Sequence, residues 1–137
     1  MKVVSACLAG IKCRYDGRSS PCEKVIELVR RGEAISVCPE QLGGLKILRV
    51  PSEIVDDRVM SKEGRDVTAQ FEKGAKESLK IALANNCKEA ILKSKSPSCG
   101  LGKIYDGTFS GKLIDGDGVF TKLLKENNFK VFTEEEI

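Results

Sequence analysis

Short β-branched runs alternate with amphipathic helical stretches along this chain, and that alternation restricts the fold more than any other feature. Lys2–Ala6 (KVVSA) suits a buried strand. Ser20-Pro21-Cys22-Glu23 predicts a helix start, with Ser20 at the N-cap, Pro21 in the first helical position and Glu23 closing a capping box. Val25, Ile26, Leu28 and Val29 form the apolar face, Gly32 ends the helix, and Ala34–Val37 is a second strand. Leu45 to Met60 reads as an irregular insertion holding a hairpin. Asp66-Val67-Thr68 opens a long helix in which Val67, Phe71, Ala75, Leu79 and Leu83 share a face, ending near Asn85-Asn86. Glu89–Lys93 is a third strand, followed by a polar, glycine-rich loop from Ser94 to Gly118. Val119 to Lys125 is a last helix and Lys130–Phe132 a last strand. Strands separated by helices pair in parallel, so the expected fold is α/β: a Rossmann-like three-layer arrangement with a mostly parallel sheet, formed by residues 1–137 as a single domain.

A chain of 137 residues can bury a real core in one such domain. Its net charge of +3, with Lys and Arg scattered and few aromatics, argues against nucleic acid as a partner. No apolar run approaches the roughly 20 residues needed to span a membrane. Val3 to Ile11 is mostly apolar after Lys2, yet the run stops at Lys12 without the small-residue cleavage site of a signal peptide. It is expected to be the first strand and its loop, and the expected location is the cytoplasm. No feature of the sequence sets an oligomeric state.

A cytoplasmic location keeps thiols reduced, which gives the six cysteines their interest. The chain has no histidine, so Cys-His and Ser-His-Asp catalysis and imidazole-bound zinc are excluded. Cys7 follows the first strand, Cys38 ends the second, and Cys99 lies just beyond the third. In an open parallel sheet the carboxyl ends of the strands form the ligand crevice, so these three residues are expected to converge. Glycines in SACLAG, CPEQLGG and KSKSPSCGLG allow close backbone approach, and Pro39 and Pro97 stiffen the turns. Three thiolates would favour a soft metal: an iron–sulfur cluster, zinc or copper(I). A lone cysteine at a strand end is also simply a small buried hydrophobe, and the chain has no C-x-x-C motif to decide between these readings.

Over nearly its whole length the chain resembles the bacterial domain-of-unknown-function family that includes thiouracil desulfidase. The resemblance rests on SACLAGIKCRYDG (Ser5–Gly17), CPEQLGGL (Cys38–Leu45), GRDVTAQFEKGA (Gly64–Ala75), ILKSKSPSCG (Ile91–Gly100) and IYDGTFSGKLIDGDGV (Ile104–Val119). It implies a non-redox enzyme that removes sulfur from a thionated nucleobase or similar small molecule. A [4Fe–4S] cluster would be held by Cys7, Cys38 and Cys99, with one iron open to the substrate sulfur. Cys13 stands close enough to be weighed as a fourth ligand, while Cys22 and Cys87 are expected to be helix-associated thiols.

Water attack on the thione carbon would need a general base within hydrogen-bond reach. Glu40, two residues past Cys38, is the first candidate, with Asp16 and Asp106 as alternates. Both aspartates precede glycine and equally suit turns. Ser96 and Ser98 flank Pro97 and would bond substrate or cluster sulfur, or serve a turn. Lys93 and Lys95 would offset cluster charge or lie in solvent, and Arg14 and Tyr15 would line the pocket. Two other readings compete. One is a cluster-free sulfurtransferase with a persulfide on Cys99, helped by Lys93 or Lys95. The other is a non-catalytic zinc or iron–sulfur module closed by Cys13.

Overall fold

The computed structural model describes all residues from Met1 to Ile137. Its main sheet has four strands, β1 (Lys2–Ser5), β2 (Ala34–Val37), β5 (Glu89–Leu92) and β8 (Lys130–Thr133), in the order β2-β1-β5-β8. Every pairing is parallel, with Val3 opposite Ile35 on one side and Ala90 on the other. Alternate residues of a strand face opposite sides, and the two faces are covered by different helices. Val3 and Leu92 pack with residues of α3 (Thr68–Ala84) and α4 (Val119–Glu126), among them Ala75, Ala82, Phe120 and Leu124. Val4 and Ile91 pack with Leu8 and with Val25 of α1 (Glu23–Arg30). The result is the expected Rossmann-like α/β architecture, a parallel sheet between helical layers.

Local expectations fail where tertiary partners intervene. Ser20 does not cap α1, because its hydroxyl accepts a hydrogen bond from Arg14 Nη1 at 2.8 Å and its N–H donates to the Cys7 carbonyl at 2.9 Å. The helix begins after Cys22, which has extended backbone and makes no side-chain cap. In α3 the buried side is Phe71, Gly74, Ala75, Ser78 and Ala82, whereas Leu83 is 53% exposed. Residues taken strictly four apart advance roughly 40° per step, so about 120° separates Leu83 from Phe71.

Two antiparallel hairpins flank the carboxyl edge of the sheet. The insertion forms β3 (Ser52–Val55) and β4 (Arg58–Ser61), joined through Asp56 and Asp57. The segment expected as a long loop contains β6 (Lys103–Tyr105) and β7 (Leu113–Asp115). Between β2 and the first hairpin lies α2 (Pro39–Leu42), a single turn packed backbone to backbone on α3. A Cβ on Gly74 would stand 1.7 Å from the Pro39 carbonyl oxygen, and one on Gly43 1.9 Å from that of Gln70. Only glycine permits this approach, and it fixes the height of α2 over the sheet.

Candidate functional site

The strand order reverses direction at β1: β2 lies on one side and β5 on the other. Such a switch point opens a crevice at the carboxyl ends of the strands. Here it is a cavity of about 530 Å³, lined by the turn after β1, the start of α2, the loop after β5 and both hairpins. That volume suits a small ligand. Cys7, Cys38 and Cys99 all line it, each carried past the end of its own strand, and Cys13 joins them from the long first loop. No three cysteine, aspartate or glutamate side chains gather around one point as a mononuclear metal site requires.

The four thiols differ in their surroundings. Burial pushes Cys99 up to about 12, against hydrogen bonds from Ser5 and Ser98 that favour its thiolate. Burial, reinforced by Cys38, pushes Cys7 up to about 11, with Lys93 and Arg14 opposing. Cys38 is drawn down to about 7, first by a hydrogen bond from the Cys13 thiol and, against the cost of burial, by the Gln41 N–H and Arg49. As a thiol, Cys38 donates to the Cys13 carbonyl at 3.9 Å. Cys13 is the member of the pair that keeps its proton. Burial thus works against a thiolate on free Cys99, the opposite of the shift that favours a nucleophilic thiol.

Glu40 lies in the first turn of α2 and faces the cavity. Its Oε1 accepts from Arg49 Nη2 at 2.9 Å and Nε at 3.1 Å, and its Oε2 accepts from Ser98 Oγ at 3.1 Å. Arg49 also donates to the carbonyls of Cys13, Lys46 and Ile47, tying the insertion to the thiol loop. Ser98 Oγ stands 3.6 Å from Cys99 Sγ, so one hydroxyl joins the carboxylate to a thiol. Ser96 Oγ accepts from the N–H groups of Ser98 and Cys99 at 3.1 and 2.9 Å, holding the turn that presents both. Ser5 Oγ accepts from Lys93 N–H at 2.9 Å and clamps the ends of β1 and β5 together.

The other sequence candidates divide between the cavity and its surroundings. Asp16 accepts from Arg14 Nη2 and Arg18 N–H in a turn and does not line the cavity. Asp106 closes its own turn through the Thr108 N–H and hydroxyl. Lys93 lines the cavity and pairs with Glu134 at 3.0 Å, while Lys95, Arg14 and Tyr15 also line it. Cys87 is buried in the α3–α4 core and Cys22 packs beside α1. The sequence reading missed Arg49, Glu134 and Glu53. Arg49 falls in the apolar run KILRV, and nothing in its spacing links it to Glu40.

Fold and cavity together define a Rossmann-like α/β protein whose ligand crevice is built from unpaired thiols and two anchored carboxylates, Glu40 and Glu53. The chain belongs to the 2-thiouracil desulfurase family, whose sequence model matches residues 3–136. It is 42% identical over 147 aligned positions to the uncharacterized protein YbbK of Bacillus subtilis (strain 168), covering 100% of this chain and 97% of that one. Among solved structures it is similar to a [4Fe-4S]-dependent thiouracil desulfidase, TudS, with a TM-score of 0.93 and 42% identity, over 98% of this chain and 91% of the other.

Proposed function

We propose that this chain is a [4Fe–4S]-dependent desulfidase acting on a small thionated molecule, with Cys7, Cys38 and Cys99 as the cluster ligands. The observation that carries the reading is the convergence of three thiols from separate strand ends on one cavity that also holds Glu40 and Ser98. The donor set fits the group. All three thiols line one cavity, and Cys7 lies within electrostatic reach of both Cys38 and Cys99, as soft ligands of a single cluster would. The family and the likeness to a [4Fe-4S]-dependent thiouracil desulfidase support the same choice. Six free thiols suit a reducing cytoplasm.

Held by Cys7, Cys38 and Cys99, such a cluster would supply a Lewis acid with affinity for sulfur. The remaining work falls to the chain. Arg49 holds Glu40 Oε1, which turns Oε2 toward Ser98 and the cavity. There it accepts a proton, directly or through the Ser98 hydroxyl, from the water that attacks the thione carbon; the C–S bond breaks and the sulfur leaves as sulfide. Ser96 fixes the turn that carries Ser98 and Cys99. Lys93, held by Glu134, places positive charge near Cys7 and offsets the charge of bound thiolates.

Anaerobic purification, reconstitution with iron and sulfide, and the visible spectrum with metal counts test this reading. About four iron and four sulfide per chain, lost in Cys7→Ser, Cys38→Ser and Cys99→Ser but kept in Cys22→Ser, are expected. Wild type that takes up no stoichiometric iron would overturn it.

A further inference from the structure

The cavity lining includes Phe109, in the turn between β6 and β7. Phe109 holds φ at 56°, a left-handed conformation that a bulky residue rarely adopts. Glycines with positive φ stand two residues away on either side, at Gly107 and Gly111, yet position 109 itself carries an aromatic ring. The ring serves none of the three hydrophobic clusters and is only half-buried. Packing therefore does not account for it.

The conformation is imposed from the other hairpin. Glu53 of β3 is 9% exposed, and its Oε1 accepts from both Gly107 N–H at 3.0 Å and Phe109 N–H at 3.1 Å. A buried carboxylate with two backbone donors is a costly way to hold a surface turn, unless the turn presents something. What it presents is a flat apolar ring in a cavity that is also lined by thiols, Glu40 and Ser98. Planar heterocycles are recognised in this way, by stacking on one side and polar contacts at the edge.

We infer that Phe109 is a specificity-determining residue on which the ring of the thionated heterocycle stacks, and that Glu53 is the positioning residue that holds it there; this rests on the desulfidase reading of the same cavity. Stacking is indifferent to whether the ring carries sulfur or oxygen, so substrate and desulfurated product bind through the same face. The strained turn then contributes binding and leaves the bond-breaking step to the other lining residues.

The test uses the reconstituted full chain, with 2-thiouracil as substrate and uracil as a sulfur-free ring probe followed by calorimetry. Phe109→Leu removes the aromatic face, and Phe109→Gly removes it while matching the backbone conformation, so the fold is retained. With iron and sulfide content unchanged, both are expected to raise KM on the order of ten- to a hundredfold with kcat little altered, and to weaken uracil binding by the same factor. Glu53→Ala is expected to behave like Phe109→Leu, whereas Glu53→Gln, which keeps the accepting oxygen, restores wild-type KM. Phe109→Gly with wild-type KM and uracil affinity would overturn the inference, as would Glu53→Ala with unchanged KM. The uracil titration needs no turnover, so loss of the cluster reading and loss of the stacking reading are separate results.

Discussion

Both Arg49 Nη2 and Arg49 Nε bond the same oxygen of Glu40, at 2.9 and 3.1 Å, which leaves the second oxygen to Ser98 alone. A carboxylate anchored through one oxygen keeps a defined orientation for the other. The pair is largely sheltered, with side-chain exposures of 11% and 17%, so solvent screens it less than a surface bridge.

Arg49→Met removes the anchor and leaves a sheltered carboxylate without its cation. The expected cost is about 2 kcal/mol in urea denaturation, between the exposed and fully buried cases. Desulfidase activity should fall roughly a hundredfold. Glu40→Gln keeps the hydrogen-bond acceptor but cannot take a proton, so kcat should drop about 10²- to 10⁴-fold with the fold intact. Steady-state kinetics on both variants, beside denaturation, separates anchoring from proton transfer.

Gly74→Ala should be severe although Gly74 does not line the cavity. Its new Cβ would meet the Pro39 carbonyl at 1.7 Å, so α2 must lift off α3 and carry Cys38 and Glu40 with it. A loss of about 3 kcal/mol or more, with reduced iron uptake, is the expected outcome by thermal melting and metal analysis. Lys73→Ala, one residue away and exposed, is the control expected to change little.

Ser96→Ala deletes the acceptor for the Ser98 and Cys99 N–H groups. The turn resembles a helix cap in its bonding, and about 1 kcal/mol of stability should be lost. Because the same turn presents Ser98 and Cys99, kcat should fall more than stability alone accounts for. Stopped assays at a temperature well below the melting point would show that excess.

Glu134 gives the fold an acid-sensitive tie. Burial alone would raise its carboxyl, but the Ser94 N–H and Lys93 outweigh it and hold Glu134 below its usual 4.5. A depressed folded value means that the unfolded chain binds the proton more readily, so this stability is present above about pH 4.5 and is lost as pH falls through the folded value. Wild type should exceed Glu134→Gln in stability at neutral pH, and the gap should close on acidification. Urea titrations of both from pH 7 to 3 measure it; a gap that widened toward low pH would contradict the assignment.

Much of the fold was legible because its cues are local. The β2 segment Ala34–Val37 matches the expected run residue for residue, and β1, β5 and β8 begin where expected, since short β-branched runs between helices have few other uses. The rule that ligands gather at the carboxyl ends of parallel strands predicts that Cys7, Cys38 and Cys99 converge, and all three line one cavity. Glu40 was legible for the same reason, being two residues from a strand end.

The partners of those residues were not legible, because each is set by a long-range approach with no periodic signature. Glu53 meets Phe109 across 56 residues and Glu134 meets Lys93 across 41, both through elements that the sequence marked only as an insertion or a tail. Ser20 shows the same limit in reverse: its local cap pattern was sound, and a 2.8 Å bond from Arg14 took its hydroxyl instead. By itself the sequence determined the parallel α/β layering and the edge at which chemistry gathers, because backbone periodicity and strand direction are local properties. Only the tertiary structure decided which side chain anchors which, since that depends on the height of α2 over Gly74 and on how the two hairpins close over the sheet.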